Sequence, residues 1–198
     1  MRCPACGNLL QQRKGRWVCP RCDYFKEGYE SMWRKHKENV ELLVAELRRR
    51  FPELSLRKGL GADSDEWIDI PPANKNELDI EGWWKFRHLF SVEVTGSDKV
   101  RVPPEDIWIR PAKLRVAEDL SAKGLPCLFW TVYPNCTYTL TVGIVATHRR
   151  SLVERDFKGK HEVFIAIPWT AGLPASRLFK EIESVLRIAL PATQPGMI

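Results

Sequence analysis

The sequence predicts an α/β fold, in which a mixed β-sheet is flanked by helices, together with a small separate unit at the N-terminus. Three observations support this. Four cysteines lie within the first 22 of the 198 residues. An amphipathic helical pattern follows over 27–51. A nearly continuous apolar run at 125–133 comes directly after a second helical pattern, as expected for a strand buried on both faces. Because a helix that joins two strands implies parallel pairing, the sheet should be mixed.

The N-terminal cysteines form two Cys-x-x-Cys pairs: Cys3, Cys6, Cys19 and Cys22. Four thiolates at this spacing suit tetrahedral zinc, and short strands expected at 8–10 and 16–18 complete a zinc ribbon. Because a segment of this length cannot bury a hydrophobic core, bound zinc would supply its folding energy. Two disulfides or an iron–sulfur site are the alternatives. No secretory signal precedes the cysteines, which favours a reducing, cytoplasmic location (nucleoid-associated if DNA is bound) and disfavours disulfides.

The rest of the chain alternates helical and strand patterns. The first helix carries one apolar stripe that includes Trp33, Val40 and Val44, and Pro52 ends it. His36 falls on this stripe and is expected to be a buried or boundary residue. Further elements are expected as strands at 66–70, 78–86 and 89–95, a loop to residue 110, a helix at 112–123, strands at 125–133, 138–147 and 162–167, and a helix at 175–190. We therefore expect a zinc ribbon over 1–26, an α/β domain over 27–190 and a C-terminal tail over 191–198.

The positive charge is concentrated near the N-terminus. The chain has a net charge of +6, yet residues 1–58 contain 14 Lys and Arg against 7 Asp and Glu, and the remainder contains 17 against 18. Such asymmetry favours a polyanionic partner, most simply nucleic acid, over the alternative of a solvated helix face. Binding should then weaken steeply with salt. The candidate contact residues are Arg13, Lys14, Arg16, Trp17, Arg34 and Lys37. No run of eighteen apolar residues occurs, so no membrane partner is expected.

One interior strand carries a carboxylate. In 89–95, Phe90, Val92 and Val94 share one face and Glu93 lies on the other. Burying a carboxylate is unfavourable unless it is paired or binds a metal. Asp79 lies near the start of the preceding strand, so a hairpin can bring it beside Glu93. Two carboxylates that meet there form an oxygen-rich site suited to Mg²⁺.

These residues carry a family resemblance. Asp79 near the start of one strand, Glu93-Val94-Thr95 on the next, and Trp108-Ile109-Arg110-Pro111-Ala112-Lys113 entering a helix make the chain similar to the PD-(D/E)XK nuclease superfamily. The resemblance implies the restriction-endonuclease-like core of helix, three strands, helix and strand, the order expected here over 27–134. It also implies a metal-dependent endonuclease or exonuclease that hydrolyses phosphodiester bonds in nucleic acid, with DNA as the expected substrate.

The motif departs from the family at one position. The family's lysine would stand at Thr95, which cannot act as a cation or a general base. Some members of the superfamily carry this lysine on the following helix, so the candidate is Lys113, with Lys99 in the loop as second choice. Asp79 and Glu93 would bind Mg²⁺ or Mn²⁺. If neither lysine reaches the carboxylates, the resemblance implies a catalytically inactive relative.

Two alternatives remain open from the sequence. Asp79 and Glu93 can instead form a structural ion pair with Arg87 or Arg110. The whole chain can also be a non-catalytic module whose ribbon and basic helix bind nucleic acid or a polymerase. An enzyme of another class is disfavoured, because the sequence contains no phosphate-binding loop, dinucleotide fingerprint, Gly-x-Ser-x-Gly turn or His-Glu-x-x-His motif. Cleavage of both strands of a duplex would favour a homodimer, though only weakly.

Overall fold

The structure is a computed structural model. It describes residues 7–13, 16–19, 26–59, 62, 77–97, 100–157 and 160–189. Its strands are β1 (Gln11–Arg13), β2 (Arg16–Val18), β3 (Ser55–Lys58), β4 (Ile80–Trp84), β5 (Arg87–Gly96), β6 (Ile107–Ile109), β7 (Cys127–Tyr133), β8 (Cys136–Thr141), β9 (Leu152–Phe157), β10 (Lys160–Ile167) and β11 (Leu173–Pro174). Its helices are α1 (Lys26–Arg50), α2 (Pro111–Ala122), α3 (Val142–Thr147) and α4 (Ser176–Ala189), with a 3₁₀ turn at Trp169–Ala171.

A mixed six-stranded sheet forms the centre of the fold, in the order β11-β8-β7-β5-β4-β3. Strands β5 and β7 pair in parallel, and α2 lies between them in the chain. The other neighbouring pairs of strands in this sheet are antiparallel. This confirms the predicted mixed sheet flanked by helices. A separate three-stranded sheet has the order β6-β10-β9.

Each face of the central sheet covers its own hydrophobic core. Phe90, Val92 and Val94 of β5 pack in one cluster with apolar residues of α1 and α4. Phe129 of β7 and Leu140 of β8 belong to the other cluster, which includes residues of α2, β6 and β10. The central strands are thus buried on both faces, as the apolar run at 125–133 predicts. Within the described ranges, no helix combines the length and apolarity needed to cross a membrane.

The structure differs from the sequence-based expectation in several elements. The strand expected at 138–147 ends at Thr141, and α3 follows, because the Thr141 hydroxyl accepts a hydrogen bond from the Ile144 amide at 3.3 Å and caps a helix. The loop expected before Arg110 contains β6, which pairs with β10. Strands β3 and β9 were not expected. The strand expected at 66–70 lies outside the described residues.

Gly96 ends β5 beside β7, and its backbone supports a test of this pairing. Its φ is +134°, and an added Cβ would lie 2.7 Å from the carbonyl carbon of Val132 and would overlap the carbonyl oxygen. We expect Gly96→Ala to lower the free energy of unfolding by about 1–3 kcal/mol, since both the conformation and the space exclude a side chain. Urea denaturation measures this loss.

Gly143 in α3 provides the matched control. The nearest atom to an added Cβ there is Thr141 Oγ1 at 3.8 Å. Gly143→Ala should therefore be neutral or stabilising by about 0.5–1 kcal/mol, because alanine favours the helix. Equal unfolding free energies for the two variants would contradict this account of β5 and β7.

Candidate active site

The pairing of β4 with β5 places Asp79 beside Glu93. Ile80 pairs with Val92 in the antiparallel register, so Asp79, one residue before β4, stands opposite Glu93. The backbone amide of Val94 donates a hydrogen bond to Oδ2 of Asp79 at 2.8 Å. Asp79 and Glu93 are 8% and 6% exposed, respectively. The two carboxylates therefore lie together at one end of the hairpin, as the sequence predicts.

Lys113 reaches Glu93 from the helix that crosses the sheet. Its Nζ lies 2.8 Å from Oε2 of Glu93. Pro111 is the first residue of α2, which places Lys113 in the first turn of that helix. Lys113 and Glu93 line a small cleft together with Thr95, Ile109 and Arg110. The structure thus brings a cation to the carboxylates although residue 95 on the strand is a threonine.

His36 completes the cluster from the opposite side of the sheet. Its Nε2 lies 3.5 Å from Oδ1 of Asp79. The sequence pattern placed His36 on the buried stripe of α1 but gave no partner for it. The sequence shows only a titratable side chain within an apolar stripe. Its place in the site follows from its contact with Asp79, which is distant in the chain. We now count His36 as a residue of the site.

The charges in this cluster shift one another's pKa. Burial raises the pKa of Glu93, the neighbouring charge of Asp79 raises it further, and Lys113 offsets part of this, leaving a pKa of about 7. For Asp79, burial raises the pKa, but the hydrogen bond from His36 and the charge of Lys113 outweigh burial and the pKa is lowered. One carboxylate therefore stays ionised while its neighbour titrates near neutrality.

The pKa values of the two basic groups in the cluster are shifted in the same direction. Burial lowers the pKa of Lys113, but the charges of Glu93 and Asp79 outweigh burial and the pKa is raised. Burial likewise lowers the pKa of His36, and the hydrogen bond and charge of Asp79 reverse this, so that its pKa is raised. Lys113 is therefore a persistent cation at neutral pH.

The donor set fits a hard divalent cation. Oε2 of Glu93 is buried and accepts no hydrogen bond from the described residues, although Nζ of Lys113 lies 2.8 Å away. Mg²⁺ is commonly held by one or two carboxylates, with water and substrate phosphate completing its coordination. Within the described ranges, no group of three or more His, Cys, Asp or Glu side chains is arranged to hold a metal. Two carboxylates fill only part of the coordination sphere of such an ion, which leaves positions for water and substrate.

Neither alternative arginine forms an ion pair with Asp79 or Glu93 in the described part of the chain. Arg110 forms an ion pair with Glu162 of β10 at 3.0 Å. Arg87 is at the opposite end of β5 from Glu93, where it pairs with Trp84. The second-choice lysine, Lys99, lies outside the described residues. The cation beside Glu93 is therefore Lys113 rather than either arginine.

The proposed zinc ligands and nucleic-acid contacts are described only in part. Cys19 is buried directly after β2, whereas Cys3, Cys6 and Cys22 lie outside the described residues, as does Lys14. The backbones of Arg13 and Arg16 face each other where β1 pairs with β2, and Trp17 is opposite Gln12. Arg34 is exposed and Lys37 is half-buried on α1, on either side of His36 in the chain.

Comparisons with known proteins give fold-level similarities. No protein-family model matches the chain, and no curated protein sequence matches it. The chain is similar to the structure of Hjc, a Holliday junction resolvase from Archaeoglobus fulgidus, with 12% identity, a TM-score of 0.44, and coverage of 71% of this chain and 97% of that one. It is also similar to D212, a nuclease from a fusselovirus, with 13% identity, a TM-score of 0.49, and coverage of 77% and 90%. At this level of similarity, the functional conclusion has to rest on the chemistry of the site.

The raised pKa of Glu93 makes the metal-free site costly to the fold. Between an unfolded pKa of roughly 4.3 and the folded value of about 7, the folded chain binds more protons, so its stability falls as pH rises through this window. In EDTA at neutral pH, we expect Glu93→Gln to have a free energy of unfolding that is higher than that of the wild type by roughly 1–3 kcal/mol.

The stabilisation by Glu93→Gln should be smaller at pH 5, because the wild-type carboxyl is then largely protonated when folded. Urea denaturation at both pH values measures the difference. The control variant is Glu53→Gln, since Glu53 is exposed and lies outside this cluster. A Glu93→Gln effect that is equal at both pH values would contradict the assigned burial.

Proposed function

We propose that the protein is a metal-dependent nuclease that hydrolyses phosphodiester bonds in nucleic acid, with DNA as the expected substrate. The observation that supports this most is the buried pair Asp79 and Glu93 with the ammonium of Lys113 at 2.8 Å from Glu93. A structural ion pair would need one carboxylate, whereas this site keeps two carboxylates together at an energetic cost. Such unfavourable clusters are typical of functional sites.

Asp79 and Glu93 would hold one or two Mg²⁺ or Mn²⁺ ions. A bound ion of this kind lowers the pKa of a coordinated water and stabilises negative charge on a phosphate. The Val94 amide and His36 fix the orientation of Asp79 through one contact to each carboxylate oxygen. Lys113 lies 2.8 Å from Oε2 of Glu93 and would hold that carboxylate in place. Each carboxylate is thus oriented by a protein contact before substrate binds.

Lys113 would act as a cation rather than a base. Its raised pKa keeps it protonated at neutral pH, so it would orient the attacking water and offset the charge that develops on the scissile phosphate. Thr95 lies in the same cleft and can contribute a hydroxyl, which is neutral. In this proposal, Lys113 therefore takes the role that the family assigns to a lysine on the strand.

The site supports a test by cleavage. Labelled linear and circular DNA, and RNA, are incubated with Mg²⁺, Mn²⁺ or EDTA, and the products are resolved by electrophoresis. We expect Asp79→Ala and Glu93→Ala to abolish cleavage, because each removes a metal ligand, and Lys113→Ala to slow it by roughly a hundredfold or more. Binding of DNA, measured by anisotropy without added Mg²⁺ or Mn²⁺, should change little. Cleavage of circular DNA distinguishes an endonuclease from an exonuclease.

Glu53→Gln is the matched control, since it removes an exposed carboxylate from another part of the fold. It should cleave like the wild type. Undiminished cleavage by both Asp79→Ala and Glu93→Ala would refute the proposed mechanism. Metal-independent binding without any cleavage would favour the non-catalytic module instead.

The N-terminal cysteines are proposed to form a structural zinc ribbon that helps to bind substrate. The antiparallel pairing of β1 with β2 and the burial of Cys19 beside them support this. The basic residues of the ribbon and α1 would neutralise phosphates, so affinity should fall with salt. Zinc would be structural, and the proposed chemistry takes place at the carboxylates.

Cys19→Ser should release zinc, because three thiolates hold the ion less tightly than four. Atomic absorption after gel filtration measures the metal, and DNA affinity should fall in the same variant. Cys136→Ser is the control, since the Cys136 thiol donates a hydrogen bond to the carbonyl of Val102 at 2.8 Å. This variant should retain its zinc. Full zinc content in Cys19→Ser would contradict the ribbon.

A further inference from the structure

The turn between β4 and β5 projects an aromatic side chain into solvent. Trp84 pairs with Arg87, so Lys85 and Phe86 form a two-residue turn. Phe86 is 99% exposed. Isolated exposed apolar side chains are common in soluble proteins, so exposure alone indicates little. The backbone conformation, the packing and the charge of this turn indicate that Phe86 binds a ligand.

The turn places a long side chain where glycine is favoured. Lys85 has a φ of 53°, and among the described residues it is the one non-glycine residue with a positive φ. Two-residue hairpin turns usually place Gly, Asn or Asp at such positions. Strained backbone of this kind concentrates at functional positions. The sequence Lys-Phe at this turn therefore has a cost that a purely structural hairpin would avoid.

The base of the turn is rigid. The rings of Trp83 and His88 stack with centroids 4.5 Å apart and an interplanar angle of 9°. Trp83 Nε1 donates a hydrogen bond to Oε2 of Glu81 at 3.1 Å. Lys85 Nζ lies 4.6 Å from the ring centroid of Trp84. Phe86 is thus presented on an ordered support, which lowers the entropic cost of binding through it.

The charge around Phe86 selects the partner. Lys85 and Arg87 lie on either side of it, and in the described part of the chain no carboxylate pairs with either cation. Two cations beside an exposed aromatic ring suit a ligand that alternates phosphates with flat bases. A second copy of this chain is disfavoured, because two such tips would bring like charges together.

We propose that the hairpin tip, Lys85–Arg87, binds the nucleic acid by stacking an unpaired base on Phe86, with Lys85 and Arg87 at the flanking phosphates. This inference rests on the proposed function, because it takes the bound nucleic acid to be the substrate of the carboxylate site. The path along β5 from Arg87 to Glu93 is about 20 Å at roughly 3.3 Å per residue. Because β5 is buried between these points, a bound strand would pass over the surface of the fold and would need more than roughly six nucleotide steps to reach both places.

Anisotropy of fluorescein-labelled oligonucleotides without added Mg²⁺ or Mn²⁺ tests the tip without requiring cleavage. We expect Phe86→Ala to weaken binding of a single strand by roughly 5- to 100-fold, and to weaken binding of a blunt duplex less, because a duplex offers few accessible bases. Phe86→Trp should bind the single strand as tightly as the wild type, because it keeps an aromatic ring at this position. Lys85→Gln and Arg87→Gln should each reduce the slope of log affinity against log salt by about 0.7.

Leu42→Ala is the control, since Leu42 is a large apolar side chain on α1 that is 67% exposed, and its loss should leave binding unchanged. Wild-type affinity in Phe86→Ala would overturn the proposal. So would a shift from dimer to monomer in Phe86→Ala with unchanged affinity per chain, which would show that the tip joins two copies.

The two proposals fail separately in this experiment. A protein that binds single strands through Phe86 but cleaves nothing would refute the nuclease and support the tip. A nuclease that needs Asp79 and Glu93 but whose Phe86→Ala variant binds normally would refute only the tip.

Discussion

The elements around the site are constrained by two carboxylates that lie side by side in a buried place. Asp79 and Glu93 are both nearly inaccessible, and their mutual repulsion adds to the cost of removing them from water. The fold compensates with contacts from both faces of the sheet: His36 comes from α1 and Lys113 from α2. The arrangement requires one strand register, because a shift of β4 by one residue would move Asp79 away from Glu93. Register, helix placement and site chemistry are therefore one constraint.

The sequence predicted the central elements well because their patterns are strong. The long stripe of α1 and the apolar strand β7 have clear periods, and the alternation in β5 assigned its two faces correctly. The weak elements were missed for physical reasons. Strand β3 has four residues and gains its stability from pairing with β4, which is distant in the chain. Helix α3 is short and rich in Val and Ile, so its pattern indicates a strand until the Thr141 cap is known.

The candidate site was predictable only where one residue carried an unmistakable cost. Glu93 in an apolar strand required a partner, and the hairpin supplied Asp79. His36 gave no such signal, because a histidine on a helix stripe acquires meaning from the residue that it contacts. The hairpin tip was equally hidden: the adjacent Trp83 and Trp84 attract attention in the sequence, yet the structure half-buries both and exposes Phe86 instead. Exposure is a tertiary property that residue type does not reveal.

The position of Lys113 shows that a helix, rather than the strand itself, can supply the cation beside Glu93. A residue two places after Glu93 shares its face of the strand, so a lysine at Thr95 would lie beside the carboxylate. Helix α2 covers that same face, and the flexible stem of a lysine in its first turn reaches the same point. The start of α2 is in turn anchored by β10, through the ion pair of Arg110 with Glu162 at 3.0 Å.

The pairing of Ile109 with Ile165 joins β6, the strand that precedes α2, to β10. The three-stranded sheet therefore sets the direction from which α2 approaches the central sheet, and with it the position of the ammonium. The proposed mechanism requires a cation at this place, whichever element supplies it. In this chain the small sheet provides that positioning through α2.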